Sequence, residues 1–287
     1  MLGVNVPAAW GAEPGLWPLP AATSPRERWH RAVALGGQGR YSAALAELDA
    51  LEVDRTPSVA QKSLMASTRG SWTRQMGWHA VAARHDGAAI AMAGLVDDTD
   101  SAEMCEARCD ALTGLAADRL GVGRFGASDA LLSRCEIVLR RQPVAEQLWR
   151  QQLRLHWVRA ELAMYSGDGR SALRHALVAR ERAADTDSLR HRAKTDLIVA
   201  AAYSAIGDST RARKLAHNVL DICSEHGLVP LQWAAAMLSN GLGEVETAPA
   251  IVAECAEVLR SRGAILAGVA SDEPDGSILA VQGRYSY

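Results

Sequence analysis

The chain has 287 residues, of which 48% are apolar, 22% charged and 5% aromatic. This apolar content excludes low-complexity disorder over most of the length, because enough surface can be buried to form a core. The 31 basic and 33 acidic side chains nearly balance, which excludes a protein that holds nucleic acid through its overall charge, although a local basic patch is allowed. The 53 alanines and single phenylalanine favour helices over a β-sandwich or barrel.

The cysteines and the N-terminal composition predict the compartment. Five cysteines are an odd number spread thinly along the chain, which is not the pattern of a disulfide framework. No Lys or Arg precedes Arg26 and no continuous apolar stretch opens the chain, so we expect no secretory signal. No apolar run reaches the ~18 residues that a membrane span needs. We therefore expect a cytoplasmic protein without a membrane segment.

The chain divides into three parts by composition. Residues 1–23 contain four of the ten prolines, and we expect an irregular tail there. Ser24 and Glu27 then have the spacing of a capping box, with Pro25 suited to the first helical turn. Helical periodicity continues over residues 24–262. Residues 263–287 lose this periodicity, and we expect an irregular C-terminal extension.

Within the helical part, glycines recur at intervals of 34 to 46 residues where two helices would be joined by a turn. These are Gly39, Gly77, Gly123, Gly167, Gly207 and Gly241. The residue seven places before each is small: Ala32, Gly70, Ala116, Ala160, Ala200 and Ala234. The residue five places after is small in the first five units, as Ala44, Ala82, Ser128, Ala172 and Ala212, and the sixth unit has Glu246 there.

Small side chains on both sides of a turn allow two antiparallel helices to pack closely. Glycine in the turn supplies the left-handed backbone that ends the first helix. One such hairpin cannot bury its apolar stripe alone, so several must stack. The pattern therefore predicts about six stacked, antiparallel helical hairpins.

Three units resemble the tetratricopeptide repeat (TPR). Residues 32–51 and 161–179 are good matches, and residues 200–220 have small, aromatic and turn residues where the motif has them: Ala200, Tyr203, Gly207, Asp208 and Ala212. Most intervals are nearer 40 than the family's 34 residues, which is similar to the long-helix repeats of bacterial regulatory proteins. The resemblance implies an all-α, right-handed superhelical solenoid over residues 24–262.

Three features could suggest chemistry, and we interpret each as structural. Residues 121–126 fit G-x-G-x-x-G, but a helical pattern and not a strand precedes them, so we interpret them as a helical turn. Cys105 and Cys109 share a helix face without a second pair of ligands, and we assign them to the core. The eight histidines accompany no nucleophile motif. We expect no catalytic residue, no metal site and no cofactor.

The resemblance implies a concave face, lined by the first helix of each hairpin, that binds a peptide or protein segment. Arginines at one-turn spacing beside Trp and Tyr suit an acidic segment, because guanidinium groups bond carboxylates while aromatic rings anchor apolar groups. Outward positions on these helices include Leu64, Ser67 and Ser71. The residues that we predict for the partner site are Arg74, Gln75, Arg150, Arg154, Trp157, Glu161, Tyr165, Arg190 and Lys194.

These observations predict a non-catalytic scaffold or regulatory adaptor that holds a protein or peptide segment in its groove. We expect no nucleic-acid partner, because no DNA-binding signature or basic run accompanies the arginines. Two alternatives stay open. One is a transcription or signalling regulator whose groove accepts a small peptide or metabolite, and the other is an enzyme whose site has no recognisable motif.

Overall fold

The structure is a computed structural model that describes residues 5–54, 57–95, 101–141 and 148–267. Within these residues the chain forms helices and no strand. The helices are α1 (Val6–Trp10), α2 (Pro25–Gly37), α3 (Tyr41–Val53), α4 (Val59–Gln75), α5 (His79–Ala93), α6 (Ala102–Gly121), α7 (Phe125–Arg141), α8 (Trp149–Tyr165), α9 (Gly169–Ala184), α10 (Leu189–Ala205), α11 (Ser209–Glu225), α12 (Val229–Gly241) and α13 (Ala248–Ser261).

Helices α2 to α13 pair in sequence order into six antiparallel hairpins, from α2–α3 to α12–α13. Each hairpin packs on the next, and the first helices of adjacent hairpins are also in contact, as α4 is with α6 and α8 is with α10. The predicted all-α, right-handed solenoid of six hairpins is confirmed. The predicted start of α2 is also confirmed, because the Ser24 hydroxyl accepts a hydrogen bond from the Glu27 amide at 3.2 Å.

The turn glycines have the backbone that the repeat pattern requires in five of the six units. Their φ angles are positive, which is the left-handed region that glycine adopts without strain. The values are 74° at Gly39, 92° at Gly77, 75° at Gly123, 76° at Gly167 and 83° at Gly207.

The sixth predicted turn glycine is wrong by two residues. Gly241 is the last residue of α12, and the turn is formed by Gly243, whose φ is 93°. Counted from Gly243, the small residues of this unit are Ala236 and Ala248, and both are buried. Glu246 therefore does not break the pattern, because the sixth unit follows the same spacing in a shifted register.

Two motif interpretations are confirmed. Residues 121–126 run from the end of α6 through a short turn into the start of α7, and they do not follow a strand. Cys105 and Cys109 are fully buried in an apolar cluster with Cys135. All five cysteines are buried free thiols. None of the helices in the described ranges is long and apolar enough to cross a membrane.

The N-terminal segment differs from the expected irregular tail, because its described part contains the short helix α1. Pro7 lies in the first turn of α1, where its missing N–H costs no helical hydrogen bond. The Gly11 carbonyl accepts a hydrogen bond from the Leu189 amide at 3.2 Å. The Gln38 side chain donates to the carbonyls of Pro14 and Leu16, at 2.9 and 3.0 Å. The segment therefore connects the first hairpin to the fifth.

The last hairpin contacts the first two, which closes the solenoid into a ring. The Ser42 amide donates to the Arg262 carbonyl at 3.0 Å, and the Arg262 guanidinium donates to the Gln38 carbonyl at 2.8 Å. Beyond α13, the Ala267 amide donates to the Met76 carbonyl at 2.8 Å. The rest of the expected C-terminal extension, residues 268–287, lies outside the described residues.

Candidate functional site

The ring encloses a central cavity of about 440 Å³, to which the first helix of every hairpin contributes side chains. This volume is in the range typical of sites for small ligands. The segments that close the ring also contribute, through Trp10 at one side and Leu266 and Ala267 at another. The contributions of the first helices include Trp29 from α2, Trp72 and Arg74 from α4, Asp110 from α6, Arg150, Arg154 and Trp157 from α8, Arg190, His191 and Lys194 from α10, and Trp233 from α12.

Aromatic rings form much of the cavity wall, and hydrogen bonds fix two of them. The Trp29 indole donates to the Thr68 hydroxyl at 3.0 Å. The Trp157 indole donates to the Thr195 hydroxyl at the same distance. Because each ring is held by the neighbouring hairpin, its face is presented to the cavity in one orientation.

His191 extends this aromatic wall as a neutral ring. It stacks on Trp157 with ring centroids 5.7 Å apart, and its Nδ1 lies 2.7 Å from the Ser188 hydroxyl. Burial, followed by the positive charges of Arg190 and Arg150, holds the pKa of His191 well below its ordinary value. The ring therefore stays uncharged at neutral pH.

Arg74 is a buried ion-pair partner in the wall of the cavity. Its guanidinium donates to Asp86 at 2.9 Å, to Asp118 and to the Gly114 carbonyl. The Asp86 carboxyl lies against Gly70 and Gly114, where a Cβ would clash with it. Burial above all raises the pKa of Asp86 to about 7. Arg74 is therefore paired with side chains of the protein itself and is not available to a ligand.

Arg150 is committed to the protein in a similar way. Its guanidinium donates to both carboxylate oxygens of Asp110, at 3.1 and 2.5 Å, and to Glu106 at 2.9 Å. It also lies 4.6 Å from the centroid of the Trp10 ring. Burial alone would lower the pKa of Arg150, but Asp110 and Glu106 raise it above its ordinary value. Arg150 thus joins α8 to α6 and supports Trp10.

Arg154, Arg190 and Lys194 have fewer partners. Arg154 places its Nε 3.2 Å from an Asp110 oxygen, in an ion pair without hydrogen-bond geometry. Arg190 donates to the Ala9 carbonyl at 3.3 Å and has no carboxylate within 4.0 Å among the described residues. The Lys194 ammonium lies 5.0 Å from the Trp157 ring centroid.

The remaining predicted residues lie in three different settings. Gln75 lines the cavity and accepts a hydrogen bond from the Tyr41 hydroxyl at 3.2 Å. Glu161 is 2% exposed and does not line the cavity. Burial above all raises its pKa to about 7. Tyr165 is the last residue of α8 and does not line the cavity; it packs on Phe125, with ring centroids 6.3 Å apart.

Of the outward positions, Ser67 and Ser71 line the cavity. Leu64 does not, because it is fully buried in the core with the α2–α3 hairpin.

Several cavity residues were absent from the predicted site, above all tryptophans. A periodic signal could have found two of them, Trp29 and Trp233. Like the predicted Trp157, each lies ten residues before the turn glycine of its own unit. The three pairs are Trp29 with Gly39, Trp157 with Gly167, and Trp233 with Gly243. The last pair became recognisable only when the sixth turn glycine was correctly placed. Trp10 has no such signal, because it precedes the repeats.

The arrangement can bind a ligand that carries both negative charge and apolar groups. Cationic side chains and aromatic faces meet at one surface, and each contributes to recognition in its own way. Within the described ranges, no group of three or more His, Cys, Asp or Glu side chains is placed to hold a metal ion.

No protein-family profile matches the chain, and no curated protein matches its sequence. Solved structures do match. The chain is similar to a Rap protein complexed with competence and sporulation factor, at 14% identity and a TM-score of 0.56, over 86% of this chain and 78% of the other.

Two further structures are more distant. The apo form of RapI has 11% identity and a TM-score of 0.43, over 82% of this chain and 64% of its own. The APC/C hetero-tetramer Cut9–Hcn1 has 13% identity and a TM-score of 0.34, over 81% of this chain and 49% of its own. The stacked helical hairpins of the chain and its match to the first Rap protein show a TPR-like helical-repeat fold, as the sequence resemblance predicted.

Proposed function

We propose that the protein is a non-catalytic regulatory adaptor that binds a peptide segment in its central cavity. The observation that carries this proposal is the convergence of all six first helices on one surface rich in tryptophan and arginine. A ligand that touches all six hairpins can change how they pack on one another, and in a solenoid such small rotations add up to a change of shape.

The size of the cavity favours a short peptide over a long protein segment. An open concave groove can accommodate an extended chain of any length, but this solenoid is closed by its own ends. A volume of about 440 Å³ accommodates a ligand of small-molecule size. The solved Rap protein of similar fold is complexed with competence and sporulation factor, which supports a factor-binding role for this fold here.

The contacts of the cavity residues favour binding over catalysis. The state of the cysteines favours a reducing compartment. Arg74 and Arg150 bond carboxylates of the protein, and His191 is a neutral ring stacked on Trp157. Buried free thiols are typical of proteins in a reducing environment. We therefore place the adaptor in the cytoplasm.

A second candidate function is a sensor of a small metabolite, and the volume of the cavity favours it equally. The same cationic and aromatic wall would recognise a metabolite that carries an aromatic ring and an acidic group.

Native mass spectrometry of the protein purified from its own cell tests the proposal. We expect a bound mass in the wild type, identified by fragmentation as a short peptide. Ser71→Trp should abolish the bound mass, because Ser71 lines the cavity and a tryptophan there fills it. Thr210→Trp is the matched control, because Thr210 is exposed on α11.

A bound non-peptide compound would favour the metabolite sensor. If the purified protein carried no bound mass at all, that result would contradict both candidates. Circular dichroism of the two variants checks that the fold is unchanged.

A further inference from the structure

The five cations at the cavity divide into two groups by what they contact. Arg74 and Arg150 each bond two carboxylates of the protein. Arg154 lies close to one carboxylate, that of Asp110, and Arg150 already holds both of its oxygens. Neither Arg190 nor Lys194 has a carboxylate within 4.0 Å among the described residues. The positive charge of this second group is therefore not balanced at the cavity surface.

Arg190 has a buried donor that the described part of the protein leaves without a partner. Its side chain lies against Gly37 of α2, where a Cβ would approach the Arg190 Cδ to 3.0 Å. Its Nε is buried without a hydrogen-bond partner in the described structure. A buried donor without a partner costs free energy, and a ligand oxygen at this position would satisfy it.

Lys194 lies one helical turn after Arg190, and so faces the same side of α10. Arg154 projects into the cavity from the adjacent α8. Burial above all, together with the positive charges of Arg154, Arg74 and Arg190, lowers the pKa of Lys194 to about 8, despite the opposing effect of Glu161. The pKa of Arg190 is lowered to about 10 by burial, together with Arg150 and Arg154. A bound anion would attract all three cations and so offset the repulsion between them.

We propose that Arg154, Arg190 and Lys194 form a carboxylate-binding subsite, and that the peptide ligand carries an Asp or Glu side chain that binds there. This inference rests on the proposed function and specifies the chemistry of its ligand. Two planar guanidinium groups suit the two oxygens of a carboxylate, and Lys194 adds a point charge.

The surroundings of the subsite define the neighbours of that acidic residue. Trp10 and Trp157 lie beside the three cations, and α12 lines the cavity with Leu231 and Met237. The peptide ligand therefore contains an acidic residue flanked by apolar or aromatic residues.

Matched peptides test the subsite directly. The probes are acetylated and amidated pentapeptides made of Trp, Leu and one Glu, each paired with the same peptide carrying Gln, so that a single charge distinguishes the pair. Isothermal titration calorimetry with the full chain should show at least tenfold tighter binding of the best Glu peptide than of its Gln partner.

Variants of the subsite should remove this preference. In Arg190→Gln and in Lys194→Met, the Glu and Gln peptides should bind within about threefold of each other. The matched controls are Arg174→Gln and Lys214→Met, both exposed on outer helices, and they should retain the tenfold difference. Equal binding of the two peptides to the wild type, or no binding of either, would overturn the proposal.

A stability measurement distinguishes binding residues from structural ones. Because the cations repel one another, Lys194→Met should leave the Tm of the ligand-free protein unchanged or raise it. A lower Tm would mean that Lys194 supports the fold, and would also overturn the proposal. If mass spectrometry finds a bound peptide without Asp or Glu, the subsite is wrong and the adaptor function stands. If an acidic compound that is not a peptide binds through the three cations, the anion-binding role of the subsite stands and the peptide-binding function is wrong.

Discussion

Ala200 shows how much of the fold depends on single small side chains. It is fully buried in α10, seven residues before a turn glycine. Ala205, at the end of the same helix, is exposed. Ala200→Leu should lower the free energy of unfolding by roughly 1–3 kcal/mol through overpacking, whereas Ala205→Leu should cost much less. Urea denaturation measures both, and equal losses would contradict the assigned helix faces.

His30 makes the stability of the protein depend on pH. Its ring packs on Trp10 and Trp29, at centroid distances of 6.1 and 5.3 Å. Burial, with the charges of Arg26 and Arg150, lowers its pKa from 6.5 to about 3. In the unfolded chain the imidazole takes up a proton near pH 6.5, and in the folded chain it does so only near pH 3. The stabilisation is therefore complete above pH 6.5 and is lost as the pH falls.

One pKa unit corresponds to ~1.36 kcal/mol, so this residue should cost about 2–3 kcal/mol of stability by pH 4.5. His30→Gln removes the titrating group, and its loss of stability between pH 7 and 4.5 should be smaller than that of the wild type by this amount. His217→Gln, at an exposed position of α11, is the control. Parallel pH profiles for the wild type and His30→Gln would contradict the assignment.

At the scale of residues, the sequence predicted the small side chains well and the charged ones less well. Ala44 and Ala172 follow from local spacing, because the helices that they join are adjacent in the chain. The role of Arg74 does not follow from spacing, because its partners Asp86 and Asp118 come from two other helices. A cation on an outward helical position has the same local pattern whether it is free or paired. The predicted partner residues therefore include both kinds.

At the scale of elements, two glycines only 34 residues apart in sequence should respond in opposite ways to alanine. Gly207 has a φ of 83°, and no atom lies within 4 Å of an added Cβ. Gly207→Ala should therefore lower stability by ~1 kcal/mol through backbone strain alone. Gly241 is helical and equally open. Gly241→Ala should raise stability by up to ~1 kcal/mol. Thermal melts that move in the same direction would contradict this difference.

The two-residue error in the sixth unit has a physical origin. Gly241 and Gly243 both follow a helical run, and either can end a helix. The choice depends on where α12 packs on its neighbours, since tertiary contacts decide helix length more than local preference does. The small residues around Gly243 give the correct register, but Ala is so frequent in this chain that Ala234 fits the other register as well.

At the scale of the molecule, the closure of the ring was beyond sequence reasoning. The Arg262 side chain and the Gln38 carbonyl are 224 residues apart in sequence. Whether a solenoid of six hairpins meets its own start depends on a small rotation added at every interface. No single repeat contains that information. The sequence therefore predicted a groove, whereas the structure has a central cavity that the joined ends of the solenoid help to line.

Arg262→Gln tests the closure. It removes the hydrogen bond to the Gln38 carbonyl and should lower stability by about 1 kcal/mol. Hydrogen exchange should become faster in both the α2–α3 and α12–α13 hairpins and stay unchanged in α8–α9. Arg260→Gln is the control, because within the described residues Arg260 forms its ion pair with Glu257 on its own helix. Faster exchange confined to α13 would show that the ends of the ring are not coupled.

The closed ring also determines the order in which the helices and the cavity form during folding. Each hairpin joins segments a few residues apart and can form as soon as it leaves the ribosome, whereas contacts across more than 200 residues form late. The wall of the cavity includes Trp10 from the beginning of the chain and Ala267 from near its end. A nascent or truncated chain can therefore build most of its helices and still have no binding site. Ligand binding therefore requires that the ring has closed, and a chain in which it has not closed does not bind the ligand.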